Sequence, residues 1–147
     1  MSNSLTQNEI EKLLNMLKYS LESEIMFPTQ GEKTIFEVVG KEKQNKFSIM
    51  IFRGRTYKAK YNLGARILND NVLLMELHIG KDLVHRNPDG EKIEGNHWHI
   101  YSEKYGRSYA FPAENIDSEK FVENTILFLD KFNVIQKPIV NFQHELF

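Results

Sequence analysis

The sequence predicts an α+β fold, in which an antiparallel sheet of five or six strands carries an N-terminal and a C-terminal helix on one face. Apolar residues recur at helical spacing near both ends of the chain, and between these regions they alternate with polar residues at a period of two. Turns rich in Gly, Asn, Asp and Lys separate the alternating segments. Together these patterns place the sheet in the middle of the chain.

The N-terminal helix is predicted to begin after Thr6, because Thr6 and Glu9 form a capping-box pattern. In that pattern each side chain accepts a hydrogen bond from a backbone N–H of the other residue that would otherwise be unpaired. Apolar residues then recur at helical spacing: Ile10, Leu13, Leu14, Leu17 and Leu21. One face of this helix is therefore apolar, and we expect it to pack against the sheet.

The alternating segments predict the strands. Four of them precede the histidine-rich region: TIFEVVG, KFSIMIFRG, TYKAKYNLG and NVLLMELHIG. The sequence Asn87-Pro88-Asp89-Gly90 then fits a type I turn, since Pro presets the second position and Gly suits the fourth. A fifth strand is HWHIYSE, and KYGRSYAFP contains a short sixth that ends at Pro112.

The C-terminal helix is predicted within EKFVENTILFLDKF, with Asp117 or Ser118 as its N-cap. Its apolar residues return to helical spacing: Phe121, Ile126, Phe128, Leu129 and Phe132. The segment that follows, NVIQKPIVNFQHELF, keeps too many apolar residues for a free end. We expect it to pack back across the domain.

The composition limits the class of protein. A chain of 147 residues with 41% hydrophobic content predicts one domain, residues 1–147. With 19 basic and 20 acidic side chains, the protein is not a polycation that binds nucleic acid non-specifically. The absence of cysteine excludes disulfides, thiolate metal sites and cysteine nucleophiles, and it fits a reducing cytosol. We expect a cytoplasmic protein that does not associate with membranes.

The strand around Trp98 carries the most unusual side chains. Successive strand residues point to opposite faces, so Trp98 and Ile100 share one face, while the other face carries His97, His99, Tyr101 and Glu103. Trp98 belongs in the core. The preceding strand divides in the same way and places Glu76 and His78 on one face. If the two strands are neighbours, these residues join the histidine row.

This polar sheet face is the predicted site. Four of the five histidines fall in one short span, His78, His85, His97 and His99, and His144 lies elsewhere. We select as catalytic candidates His97, His99, Tyr101 and Glu103, and as substrate-binding candidates His78, His85, Arg53 and Arg55. Lys58 and Lys60 are interpreted as solubilising residues. No cofactor and no metal ligand is assigned.

The first hypothesis is metal-free cleavage of a phosphodiester, as in an endoribonuclease or toxin. Two imidazoles can act as base and acid because their pKa lies near neutral pH. Glu103 would orient one imidazole, Tyr101 would contact the substrate, and Arg53 or Arg55 would bind phosphate. The order of helix, antiparallel sheet and helix resembles the small ribonucleases and bacterial toxins of the barnase and RelE-like group, in architecture and residue types only.

Two alternatives remain. The spacing from Gly90 through His97-x-His99 to Glu103 resembles the first metal motif of the cupin family, although no second motif follows. A metal-dependent enzyme with a His-x-His and Glu site is therefore a further hypothesis. A non-catalytic interaction or inhibitor protein is the other, with RNA, a second protein or a second copy of the chain as the partner.

One resemblance is closer. The order of His85, Asn87-Pro88-Asp89-Gly90 and then His97, His99, Tyr101 and Glu103 is similar to the signature of a small family of bacterial and mobile-element proteins. That family has no established activity. The resemblance implies a bacterial or phage context and leaves the mechanism open.

Overall fold

The computed structural model of the chain describes residues 5–42, 44–56, 60–68, 70 and 72–143. Lys58 and His144, which the sequence assigned to the sheet surface and the tail, lie outside the described residues. The helices are α1 (Gln7–Asn15) and α2 (Phe121–Lys131). The strands are β1 (Lys18–Ser20), β2 (Glu24–Met26), β3 (Lys33–Gly40), β4 (Lys46–Arg53), β5 (Tyr61–Ile67), β6 (Leu73–Ile79), β7 (Val84–Arg86), β8 (Lys92–Glu94), β9 (His97–Ile100), β10 (Ala110–Pro112), β11 (Val134–Gln136) and β12 (Ile139–Asn141).

An eight-stranded sheet with the order β10-β9-β6-β5-β4-β3-β1-β11 forms the centre of the fold. Its neighbouring strands are antiparallel except β1 and β11, which are parallel. Two small sheets accompany it, parallel β12–β2 and the antiparallel hairpin β7–β8. The α+β class is confirmed, but the predicted sheet of five or six strands is too small, because short segments near both chain ends add β1 and β11 to one edge.

The placement of the N-terminal helix differs from the prediction. The capping box is present, with Glu9 N–H donating to Thr6 Oγ1 at 3.1 Å and Thr6 N–H donating to Glu9 Oε1 at 3.0 Å. The helix nevertheless ends at Asn15, because the chain enters the sheet at Lys18. Leu17 and Leu21, which continue the helical spacing, are 48% and 59% exposed.

The core lies on one face of the large sheet. Most of the residues of β3, β4, β5, β6 and β9 that point to this face are buried, and α2 packs on them through Phe128 and Leu129, with Phe132 just beyond the end of the helix. The Trp98 and Phe128 rings stack with their centroids 6.2 Å apart. The helix begins at Phe121 without a side-chain cap, because the Asp117 carboxylate instead accepts from Glu119 N–H at 3.1 Å. The predicted cap is therefore wrong.

Lys18 is fully buried where the carboxyl ends of the two helices meet. Its ammonium group donates to the carbonyl oxygens of Leu14 at 3.1 Å, Met16 at 3.0 Å and Phe132 at 2.8 Å. It also lies 3.9 Å from the centre of the Phe132 ring. Since the last carbonyls of a helix lack partners and carry partial negative charge, this cation ties both helix ends to β1.

The tail packs back across the domain as expected, through β11 beside β1 and β12 beside β2. Its Phe142 ring lies 5.1 Å, between centroids, from Phe121 at the start of α2. Among the described residues, neither helix has the length and apolarity needed to cross a membrane.

Candidate metal centre

The histidine row lies on the sheet face opposite the core. Strands β6 and β9 are antiparallel neighbours, and their register pairs His78 with His97 and Glu76 with His99. Residues directly opposite each other on adjacent antiparallel strands point to the same face, so all four side chains lie together. The expectation that Glu76 and His78 join the row is therefore met.

His85 reaches the same cluster from the β7–β8 hairpin. Its ring centroid is 4.8 Å from that of His99 and 5.8 Å from that of His97. His78 lies 5.0 Å from His97 and 4.8 Å from His99 by the same measure. Four of the five histidines thus converge, although they come from three separate strands.

The Asn-Pro-Asp-Gly turn holds the hairpin in place. Gly90 N–H donates to Asn87 O at 2.8 Å, which closes the turn, and Gly90 has φ 94°. The buried Asn87 side chain then bonds the backbone of Ala110 on β10 twice, accepting at 2.7 Å and donating at 2.9 Å. Asp89 accepts from the Tyr109 hydroxyl at 2.9 Å. The turn predicted from sequence therefore fastens His85 beside the sheet edge.

Each of these imidazoles has one ring nitrogen engaged. His97 Nδ1 bonds Gly95 O at 2.8 Å, and His99 Nδ1 bonds Arg107 O at 2.7 Å. His85 Nε2 bonds Ser108 O at 2.8 Å. A carbonyl accepts only from an N–H, so these contacts fix the tautomers and leave Nε2 of His97 and His99 with an available lone pair. His78 Nε2 lies 3.1 Å from Glu76 Oε1, which leaves its Nδ1.

The three sheet histidines form a potential ligand set. His78, His97 and His99 each offer a ring nitrogen, and these atoms all lie within 4.8 Å of one another. Burial lowers the pKa of His99 to about 4, against an opposing effect of the Arg107 carbonyl. Burial likewise lowers the pKa of His97. Both rings are thus neutral at neutral pH, the form that binds a metal ion.

The Glu76 carboxylate contacts the histidine cluster through His78. This carboxylate is 5% exposed and receives a two-pronged pair from Arg107, with Nε to Oε2 at 2.9 Å and Nη2 to Oε1 at 2.7 Å. Burial acts to raise the pKa of Glu76, but bonds from His78 and Arg107 outweigh it and the pKa lies below its usual range. Glu76 is therefore ionised at neutral pH and orients His78.

Replacing Arg107 with methionine is expected to destabilise the protein by roughly 1 to 2 kcal/mol at pH 7, because Glu76 would be left buried without its cation. The effect is no larger because water already screens the charge of the half-exposed arginine. The pKa of Glu76 is lower in the folded protein than in the unfolded chain. The stabilisation from the Glu76–Arg107 pair is therefore complete above the pKa of the unfolded chain, and it is lost as the pH falls through the pKa of the folded protein. Urea unfolding of both proteins at pH 7 and pH 3 should therefore show the difference shrinking in acid. An equal difference at both pH values would contradict this role.

Glu103 and Tyr101 do not join the histidines. Strand β9 ends at Ile100, and the chain turns through a Ser102–Gly106 bridge, so the alternation that the sequence suggested stops before them. The Glu103 carboxylate accepts from the backbone N–H of Gln7 at 2.9 Å, at the start of α1. Tyr101 lines a cavity at the sheet edge. The carboxylate that orients an imidazole is Glu76 instead.

Arg53, which the sequence predicts at the histidine site, lies on the other face of the sheet. It pairs with Tyr61 across β4 and β5, on the core face. It is 2% exposed, donates to Pro28 O at 3.2 Å and lies 4.5 Å from the Phe121 ring centre. Arg55 is exposed beyond the end of β4 and lines a cavity of about 260 Å³ with Asn62, the cross-strand neighbour of His78.

The sequence reasoning missed Arg107 as a site residue. It supplies both the carbonyl that orients His99 and the guanidinium that pairs with Glu76. No periodicity marks it, because it lies in the connection from β9 to β10. The sequence predicts Asn87 as part of a turn and of the family signature but does not predict that its side chain fastens the hairpin that carries His85.

Comparison with known proteins matches the chain to one family model. A family model described as a family of unknown function (DUF6978) matches residues 5–134, which include both strands of the histidine row and the hairpin that carries His85. No curated protein and no solved structure matches the chain.

Proposed function

The chain belongs to this family of unknown function, and we propose that it is a metal-dependent hydrolase whose ion is held by His78, His97 and His99. The observation that carries the proposal is the joint geometry of the three rings. One ring nitrogen of each histidine lies within 4.8 Å of one from each of the other two, and each ring also bonds a carbonyl or carboxylate oxygen through a single nitrogen.

Such outer bonds are typical of metal-binding histidines, because they fix the tautomer, orient the ring and raise its basicity. Imidazole suits zinc, which binds nitrogen at about 2.0 to 2.1 Å. Ligand atoms around a tetrahedral zinc are therefore about 3.4 Å apart, so small rotations of the rings would close the site. Zinc is accordingly the ion that we expect.

Three protein ligands favour a catalytic site over a structural one. Structural zinc sites use four protein ligands, whereas catalytic sites keep one position for water or substrate. A zinc ion in such a site supplies a water nucleophile at neutral pH by lowering the pKa of that water. His85 and the half-buried His78 lie on the solvent side of the cluster, and Glu76 supports it from within the sheet.

The substrate that we propose is a phosphodiester, in keeping with the nucleic-acid-directed activity expected from the sequence. Metal-free cleavage by His97 and His99, as in a ribonuclease toxin of a bacterial mobile element, is the competing proposal. It requires one imidazole to be protonated, and burial lowers the pKa of both rings. This lowering works against an acid–base pair of imidazoles, and for that reason we propose the metal-dependent form.

Purified protein loaded with zinc is expected to hydrolyse single-stranded RNA, to lose this activity on removal of the metal by a chelator, and to regain it when zinc is restored. Cleavage that continues in the chelator at the same rate would select the metal-free proposal. If the protein binds zinc but hydrolyses neither RNA nor a simple phosphodiester such as bis(p-nitrophenyl) phosphate, the hydrolase is rejected. An interaction or inhibitor role would then be the better proposal.

A further inference from the structure

A row of side chains crosses the histidine face of the sheet, from the candidate metal centre towards β3. The register places His78, Asn62, Phe52 and Lys33 directly opposite one another on β6, β5, β4 and β3. Side chains at such opposed positions point to the same face. Neighbouring strands lie about 4.8 Å apart, so Phe52 is about 10 Å from His78 across the sheet. A molecule bound at the metal centre can therefore reach Phe52 without leaving this face.

The Phe52 ring is open to a ligand. It is 42% exposed and lines a cavity of about 260 Å³ together with Asn62. Within the part of the chain that the structure describes, no other aromatic ring packs on Phe52, and the Asn62 amide forms no hydrogen bond. Unpaired bases of RNA stack on exposed aromatic rings of a sheet face, and amide side chains bond to base edges. Phe52 and Asn62 thus offer both contacts that a base needs.

Positive charge lies around this cavity. Arg55 and Lys60 line it and are exposed, and Lys33 lies at the end of the row. Among the described residues none of these three cations forms an ion pair, and no described residue of the cavity lining is a carboxylate. Glu76, in the adjacent row, is already paired with Arg107. The surface is therefore complementary in charge to a phosphate backbone.

Two glycines allow the cations to lie where they do. A Cβ atom at Gly31 would lie 2.8 Å from Arg55 Cγ, so the arginine stem occupies space that only glycine leaves free. A Cβ atom at Gly80 would lie 3.4 Å from Lys60 Cγ. Gly80 directly follows β6, the strand of His78. The Lys60 stem is therefore directed towards the strand that carries part of the metal centre, although the sequence predicts Lys60 as a solubilising residue.

We propose that this surface binds single-stranded RNA and is the substrate subsite of the metal centre. The assignment rests on the proposed hydrolase, because it names the class of substrate for the same site and the place where the strand is held. One base stacks on Phe52, Asn62 meets the edge of that base, and Arg55 and Lys60 bind neighbouring phosphates. An apolar ligand would use Phe52 and leave both cations without a partner.

The stacking contact is tested by binding of a fluorescent ten-residue adenosine RNA to the zinc-loaded full chain, with phosphorothioate linkages that resist hydrolysis. Phe52→Ala is expected to weaken binding about tenfold, within the roughly 5- to 150-fold range for loss of one stacked base. Phe52→Tyr keeps the ring and should retain the wild-type affinity. Phe111→Ala is the matched control, since Phe111 is 46% exposed but pairs with Trp98 and so lies on the opposite face. It too should retain the wild-type affinity.

The phosphate contact is tested by the salt dependence of the same binding. Each cation that neutralises a phosphate of a single strand contributes about 0.7 to the slope of log affinity against log salt concentration, and Lys60→Met should lose about this amount. Lys12→Met is the control, since Lys12 is an exposed lysine on α1, and it should keep the wild-type slope.

Three results would overturn the subsite. They are wild-type affinity in Phe52→Ala, an equal loss of affinity in Phe111→Ala, and the absence of RNA binding by the wild-type protein. A salt slope that is unchanged in Lys60→Met would overturn the phosphate contact that selects a nucleic acid.

The zinc content of the same preparations distinguishes the two proposals. Zinc bound at one ion per chain together with RNA binding that ignores Phe52 would reject the subsite and leave the hydrolase standing. RNA binding that depends on Phe52 in a protein without zinc affinity would reject the hydrolase, and the surface would remain an RNA-binding site.

Discussion

His99→Ala is expected to lower zinc affinity at least about 100-fold, because loss of an outer partner alone typically costs 10- to 100-fold and this change removes a ligand. The His99 residue is 6% exposed, and its ring is oriented by the bond from Nδ1 to Arg107 O. Competition titration with a chelator of known zinc affinity measures the effect.

Asn62→Ala is the matched control for this prediction. Asn62 is exposed on the same sheet face and pairs with His78 across β5 and β6, but its amide is not part of the converging set. Zinc affinity should change less than threefold in this variant. If His99→Ala keeps wild-type affinity while circular dichroism shows it folded, His99 is not a ligand.

Lys18→Met is expected to lower the free energy of unfolding by about 3 kcal/mol, because removing one partner from a buried charged contact leaves the other groups without compensation. The carbonyl oxygens of Leu14, Met16 and Phe132 at the helix ends would each lose the bond from Lys18, although Leu14 O would keep a bond from Asn133 Nδ2 at 2.9 Å. Methionine fills most of the same volume, so the loss reports the hydrogen bonds of the Lys18 amino group and not a cavity. Urea unfolding at pH 7 measures it.

The same variant predicts a pH dependence. Burial lowers the pKa of Lys18 from 10.5 to about 7 in the folded protein. Between these two values the unfolded chain binds more protons, so the Lys18 contribution to stability rises with pH across that window and is constant below it. The difference between wild type and Lys18→Met should therefore be larger at pH 9 than at pH 7.

Lys46→Met is the control for Lys18, since Lys46 is an exposed lysine on β4. Surface substitutions of this kind typically change stability by less than about 0.5 kcal/mol. A Lys18 variant as stable as the Lys46 variant, or a difference that falls between pH 7 and pH 9, would contradict this account of the helix ends.

The period-two pattern was sufficient to predict which side chains share a face. Trp98 lies in the core and His97 and His99 lie opposite it, because every second residue of a strand points the same way. The same rule applied to β4 places Arg53 with Ile49 and Ile51 on the core face. The prediction that Arg53 reaches the site neglected this alternation.

Local patterns could not predict the parts of the site that depend on where the chain turns. Alternation continues through Tyr101 and Glu103 in the sequence, but β9 ends at Ile100 and the carboxylate of Glu103 bonds α1 instead. The pair of Arg107 with Glu76 joins residues that are 31 positions apart. Such contacts follow from strand order and register, which a single sequence leaves open.

The helical spacing predicts an N-terminal helix that is too long, for a related reason. Leu17 and Leu21 fit the helical period, but the buried bonds of Lys18 and its pairing with Gly40 of β3 hold this segment in the sheet. Tertiary contacts override a weak local preference when a helix is short. The contribution of β11 to the sheet is long-range in the same sense, since it pairs with β1.

X-ray absorption at the zinc edge of the loaded protein tests the central claim most directly. The account predicts one zinc per chain with a first shell of three imidazole nitrogens at about 2.0 to 2.1 Å and one further oxygen or nitrogen. In His99→Ala the imidazole contribution should fall to two or disappear together with the metal. A shell dominated by carboxylate oxygens, or one unchanged by His99→Ala, would contradict a metal centre built from His78, His97 and His99.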